Sequence, residues 1–350
     1  MEKLDFRLMD THLRLQSEQK ELINYIRHFF RLPIEEIQKG DPNIYVNFTL
    51  NDTFQISKSY RRISRNIWLG ESSLFISEIE RLPGLKLGVK IENDRLYIDA
   101  FFKDKNQKFM KKIISHPLFD KRNREIQFIV LTYYLIYYPL FYYLERSRNL
   151  LILHASAIEH ENKGVILAGL GGVGKSTFCL GSLVLKECKF ISDNLIFYDS
   201  QNIYACPEPI SLDATSIDIL KQVKHLLIPQ NTSFTHNRMR YQIKPESISC
   251  KAVPKYLFWL QWGNENKILP LDKGTCIKHL LNINLLAKEL REYYLLAAAF
   301  DLAFSQSFST NLYRDTLSLL LSGVDCFTLQ FKPGEDLETV FNQTISRILI

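Results

Sequence analysis

The sequence predicts an α/β domain built on a mixed sheet and preceded by a smaller α+β domain. Three observations carry that reading. After residue 150, short apolar strands alternate with helical stretches around one glycine-rich turn. Before residue 126, strand-like runs bounded by turn pairs dominate, with one amphipathic helix beside them. The 350 residues also suit two domains of about 100–200 residues each. The boundary is expected at residue 125, giving domains 1–125 and 126–350.

Composition narrows the function classes. Hydrophobic residues make up 46% and charged residues 23%, which supports a sizeable core and excludes a disordered, collagen-like or coiled-coil chain. The net charge of +6, from 44 basic against 38 acidic residues, is mild and scattered. No nucleic-acid partner is expected from it, and a phosphate-bearing ligand is compatible with it. Cys179, Cys188, Cys206, Cys250, Cys276 and Cys326 lie far apart without a C-x-x-C pair, so they read as reduced thiols of a cytoplasmic protein. The first residues show no signal-peptide pattern.

Along the chain, Ser17 opens a helix whose apolar face is Leu22, Ile23, Ile26, Phe29 and Phe30, and Pro33 stops it. Strands are expected over 44–50, 67–69, 85–91 and 96–102, separated by Asn-Asp and Pro-Gly turn pairs. A basic stretch, 103–124, is read as surface. The apolar tract 126–144 is nearly long enough to span a bilayer, yet it carries paired tyrosines, Gln127 and Pro139. It reads as a core helix buried against the following sheet, with no membrane partner. Strands are then expected over 150–154, 164–168, 189–192, 195–198, 257–262 and 326–331, and helices over 175–185, 277–281, 286–304, 313–321 and 337–348.

The chemistry concentrates in one segment. Gly169-Leu170-Gly171-Gly172-Val173-Gly174-Lys175-Ser176 matches the phosphate-binding loop G-x-x-x-x-G-K-[ST], entered by an apolar strand and left by a helix that begins with Lys175, Ser176 and Thr177. Its glycines let backbone N–H groups surround a polyphosphate, and the helix directs its positive end there. Lys175 reaches the β and γ phosphates and the Ser176 hydroxyl ligates Mg²⁺ in such a loop, so ATP and Mg²⁺ are the expected cofactors. Asp193, seventeen residues after Ser176, ends a short apolar strand, where an aspartate can hold magnesium or take a hydroxyl proton. His154 and Ser156 lie one strand before the loop. A hairpin through residues 159–163 would bring them to the γ-phosphate. Residues 236–240, with Arg238 and Arg240, are a candidate arginine source for the phosphoryl group or a solvated loop.

The strings LHASAI, VILAGLGGVGKST and FISDN resemble the kinases related to HPr kinase/phosphorylase. They are most similar to the branch with tailoring kinases of ribosomally made peptides such as lasso peptides. That branch usually reads LHASAV, G-x-SGxGKST and LLSDD. The specific resemblance covers about residues 126–215. It implies an HPr-kinase-like P-loop fold and ATP-dependent phosphorylation of a serine on a peptide or small protein. It also implies Lys175 and Ser176 as phosphate and magnesium contacts, Asp193 as the base, and His154 as a phosphate-side partner. Gly171 replaces the branch's loop serine, and Asn194 replaces its second aspartate. Asn194 keeps an oxygen ligand without the charge, and Glu208 is the nearest acidic substitute. Residues 1–125 would grip the peptide, and a homo-oligomer is left open. The rival readings are a nucleotide-binding regulator with little transfer activity, a small-metabolite kinase of the same fold and a P-loop hydrolase.

Overall fold

A computed structural model describes residues 1–29, 40–50, 56–103, 117–185, 187–213, 216, 220–233, 238–304, 310–335, 339–340, 345 and 348. The chain divides into two compact units, Met1–Arg148 with Tyr293–Phe308, and Asn149–Glu292 with Ser309–Ile350.

In the first unit, β1 (Glu2–Leu8) and β2 (Thr11–Ser17) form a hairpin ahead of α1 (Lys20–Phe29). Ser17 Oγ accepts the Gln19 N–H at 3.0 Å just before α1, whose Leu22, Ile23, Ile26 and Phe29 are buried as the periodicity predicts. Then come β3 (Ile44–Thr49), β4 (Arg61–Arg62), β5 (Ile67–Leu69), β6 (Ser73–Ile76), β7 (Leu85–Glu92) and β8 (Arg95–Phe102). They form a sheet in the order β1-β2-β3-β8-β7-β6-β5-β4, mixed because β2–β3 and β3–β8 pair in parallel. One face is apolar by strict alternation: Ile44, Val46 and Phe48 on β3, and Leu96, Ile98, Ala100 and Phe102 on β8.

The aromatic tract forms α2 (Pro117–Thr132), a π-helical turn (Tyr133–Tyr137) and α3 (Tyr138–Arg148). Its burial agrees with the expectation, and its packing corrects it. Phe128 lies 5.4 Å from Tyr25 and Tyr137 lies 6.1 Å from Phe29, both rings of α1. The helix thus clusters with the first unit, whose first segment runs from Met1 to Arg148. No helix among the described residues is long and apolar enough to cross a membrane.

The second unit contains β9 (Leu151–Leu153), β10 (Ser156–His160), β11 (Lys163–Ala168), α4 (Lys175–Gly181) with a 3-10 turn (Ser182–Val184), β12 (Cys188–Ser192), β13 (Ile196–Tyr198), β14 (Ile203–Ala205) and β15 (Ile210–Asp213). After these come β16 (Leu227–Ser233), β17 (Arg238–Ile243), β18 (Lys251–Trp262), β19 (Lys267–Pro270), α5 (Lys273–Leu286), α6 (Lys288–Phe304, which continues into the first unit), α7 (Thr310–Leu320) and β20 (Asp325–Phe331). The main sheet runs β12-β10-β11-β18-β14-β13-β9, with β20 on β18 and β19 on β20. It is mixed, with β11, β18 and β20 parallel and β10 antiparallel to β11. A small sheet, β15-β17-β16, stands apart from this order. The core on the α4 side gathers Val165, Leu167, Val173, Phe178, Phe258, Leu260, Phe331, Val340 and Ile345.

β18 begins six residues before its expected start. It runs through Pro254, which cannot donate to the ladder, and the irregularity is absorbed by a register shift in the pairing with β11 at Gly164 and Val165. The expected helix over 337–348, the basic stretch 103–124, Phe30, Pro33, His236 and Asn237 lie wholly or largely outside the described residues.

Candidate phosphate-binding site

The site is built at the carboxyl end of β11, between antiparallel β10 and parallel β18. The expected hairpin forms: Ser156 pairs with Leu167 and His160 with Lys163, around Glu161 and Asn162 in left-handed conformations. β11 ends in a sharp turn at Gly169, where a Cβ atom would come within 2.7 Å of the Leu260 carbonyl oxygen. Gly172 (φ +80°) and Gly174 (φ +102°) hold left-handed conformations that strain L-residues. Around Gly171 and Gly172 nothing lies within 4 Å of a built Cβ, so the crown of the loop is open. Val173 anchors the loop from below, buried in the core.

α4 starts at Lys175 with Gly174 as its cap. It is shorter than the expected 175–185 because the Ser182 hydroxyl bonds the Phe178 carbonyl at 2.7 Å and the chain tightens into the 3-10 turn. Lys175 is buried, with Nζ donating to the carbonyls of Gly169 (2.8 Å) and Leu170 (3.2 Å). Burial pulls its pKa down while the Asp193 charge works upward. The Lys175 side chain is thus held inside the loop on two neutral carbonyl acceptors. Thr177, in the same first turn of α4, is half-buried.

Asp193 closes the site from β12. Its Oδ1 accepts the Ser176 hydroxyl at 2.9 Å and the Ser156 hydroxyl at 2.5 Å, while Oδ2 accepts no hydrogen bond among the described residues. Ser176, Ser156 and Asp193 therefore converge from α4, β10 and the end of β12. Ser192 fixes the turn that carries Asp193: its Oγ lies 2.6 Å from the Leu195 carbonyl and accepts the Cys206 N–H at 3.2 Å. Cys179, on the buried face of α4, is fully buried with its thiol pKa raised by desolvation. It serves as packing.

The other candidate ligands form a separate pair. Asn194 adopts φ +71°, which asparagine tolerates in a turn, and its Nδ2 donates to Glu208 Oε2 at 3.2 Å. Ser176 is thus joined to Asp193, and Asn194 to Glu208. Among the described residues no group of three His, Cys, Asp or Glu side chains forms a metal cage. Mg²⁺ at a phosphate site needs few such ligands, because water and phosphate oxygens supply the rest.

His154 lies in the bend between β9 and β10. Burial, and secondarily the Lys175 charge, lower its pKa to about 4 against a weaker upward pull from the Asn194 backbone. It is therefore neutral at pH 7, and its buried Nδ1 has no hydrogen-bond partner among the described residues. The bend is held by a residue that the sequence reading missed. Asn284 of α5 accepts the His154 N–H at 2.7 Å through Oδ1 and donates to the Ile152 carbonyl at 2.9 Å through Nδ2. The signal available was a polar side chain inside the apolar run LLNINLL. Arg240, a candidate phosphate contact, is buried in β17 of the small sheet.

No known protein family and no curated relative matches the chain. Among solved structures it is similar to the Hpr(Ser) kinase/phosphatase from Coxiella burnetii, at 11% sequence identity and a TM-score of 0.27, over 56% of this chain and 89% of that one.

Proposed function

We propose that the second unit is an ATP-dependent kinase domain that phosphorylates a serine hydroxyl of a peptide or small protein. The observation that carries this reading is the convergence of Ser176 and Asp193 beside the glycine loop and its buried Lys175. ATP with Mg²⁺ supplies the transferable phosphoryl group. In this reading the backbone of residues 169–174 cradles the phosphates, and Lys175 Nζ leaves its two carbonyl acceptors to neutralise them. The Ser176 hydroxyl and Asp193 hold Mg²⁺, with Asn194 and Glu208 adding oxygen atoms at its edge. Asp193 Oδ2 takes the proton of the acceptor serine, while Ser156 keeps Oδ1 in place. His154, neutral, faces the phosphates as a hydrogen-bonding group without charge.

The first unit would grip the acceptor chain. Its strand β1 ends the sheet and offers an edge for strand addition. The free thiols of all six cysteines accord with work in the cytoplasm. Asn194, an amide where a second carboxylate would bind magnesium harder, favours one rival: a nucleotide-binding regulator with weak transfer. Incubating the full chain with ATP, Mg²⁺ and serine-bearing peptides decides between them. Gain of one phosphoryl mass on the serine supports the kinase, and nucleotide binding without that gain supports the regulator.

A further inference from the structure

Strand β18 sends alternate side chains to opposite faces. Phe258 and Leu260 join the core beneath α4, whereas Trp259 turns the other way and meets His279 of α5 at 4.6 Å. Trp262 continues the Phe258 and Leu260 series, so it lies on the α4 face at the carboxyl end of the strand. Its partner across the ladder is Phe331. The Phe331 ring meets Phe178 of α4 edge-on at 4.9 Å and comes within 3.9 Å of a Cβ built on Gly174. An aromatic run therefore leads from Trp262 through Phe331 to the phosphate loop.

The two ends of this run differ. Phe331 is buried, but Trp262 is 60% exposed. The strand end carrying it is held firmly, with the Gly263 N–H on the Phe331 carbonyl at 2.9 Å. Asn266 braces the following turn, donating to Glu335 at 2.8 Å and accepting the Lys332 N–H at 3.2 Å. A large ring fixed in place yet left to water forgoes the stabilisation its burial would bring.

The opposite flank of the loop belongs to Asp193, at the end of β12, whereas β18 lies on the other side of β11. A polyphosphate with its terminal group at Ser176 and Asp193, if it ran across the loop away from β12, would bring its other end to the β18 side. On that side the exposed Trp262 ring offers a flat aromatic face. We infer that Trp262 is the stacking platform for the nucleobase of a purine nucleoside triphosphate bound in the loop. This inference rests on the nucleotide reading above and adds the residue that recognises the base.

The test compares ATP with inorganic tripolyphosphate, which has the phosphates and no base, by calorimetry on the full chain in Mg²⁺. Trp262→Ala should weaken ATP binding roughly 5- to 150-fold, the loss of one stacked base, and leave tripolyphosphate binding unchanged. Trp262→Phe should recover part of the loss. In the parent, ATP should quench a tryptophan emission that tripolyphosphate leaves alone, and that quench should vanish in Trp262→Phe. Unchanged ATP affinity in Trp262→Ala, or equal weakening of both ligands, overturns the platform while the phosphate site stands. Failure of the parent to bind tripolyphosphate or ATP overturns the phosphate site and the platform together.

Discussion

Ser156 and Asp193 are 37 positions apart and joined by a 2.5 Å hydrogen bond, on the same carboxylate oxygen that takes the Ser176 hydroxyl. Two hydroxyl donors on Oδ1, one from β10 and one from α4, fix the orientation of the carboxylate plane. In the proposed reading they would also divide its labour, with Oδ1 held in place and Oδ2, which accepts no hydrogen bond among the described residues, meeting the acceptor hydroxyl.

Asp193→Asn tests that division. The amide oxygen can still accept from Ser156 and Ser176, so the fold and the loop should persist. Phosphoryl transfer should fall about 10²–10⁴-fold, the usual contribution of a positioned acid–base group. ATP affinity should change far less. Transfer that survives undiminished would move the base to another residue, with His154 first in line.

Lys175→Ala removes the cation that two loop carbonyls now hold. ATP turnover should be lost, while circular dichroism and the unfolding midpoint stay close to the parent. The midpoint is spared because burial already disfavours the charged lysine, so its removal relieves a desolvation cost as well as losing two hydrogen bonds. Parent-like turnover in this variant would remove the phosphate-loop assignment.

Local features were legible in the sequence, and distant ones were not. β7 and β8 were readable because Asn93 and Asp94, both with positive φ, are turn residues by type. β1 and β2 join through an equally tight turn at Met9 and Asp10, and methionine at φ +48° announces nothing. The loop 169–176 could be read because eight consecutive residues carry its whole geometry. Asn284 could not: its partners lie 130 and 132 positions earlier, and nothing local says which backbone an asparagine will clamp. The aromatic tract shows the same limit. Its apolarity predicts burial, but which unit buries it depends on rings such as Tyr25 and Phe29 a hundred residues away.

The neutral His154 makes stability depend on pH in a definite direction. Its folded pKa of about 4 lies below the ordinary value of 6.5, so between those values the unfolded chain binds more protons than the folded one. Its contribution is fully present above pH 6.5 and is lost as pH falls toward 4. His154→Gln removes this titration. The midpoint of thermal unfolding should fall less steeply for the variant than for the parent between pH 6.5 and 4. Parallel curves would show that His154 is protonated as readily in the folded chain as in water.

The Asn194–Glu208 pair gives the last prediction. In Asn194→Asp the left-handed backbone is retained, since aspartate tolerates φ +71°, but the donor to Glu208 becomes a second carboxylate at about the same place. Without a cation the two repel and one holds its proton more tightly. The lost bond, a neutral donor to a charged acceptor, stabilises by about 1.5–3 kcal/mol when well shielded and less at this half-buried position. The variant should therefore unfold at a lower temperature than the parent in EDTA. Mg²⁺ should restore the difference, because two carboxylates form a harder oxygen site than a carboxylate and an amide. The same variant should reach half-maximal phosphoryl transfer at a lower Mg²⁺ concentration than the parent. Equal stability with and without Mg²⁺, together with an unchanged Mg²⁺ requirement, would place Asn194 and Glu208 outside the metal site and leave Ser176 and Asp193 as its only protein ligands among the candidates.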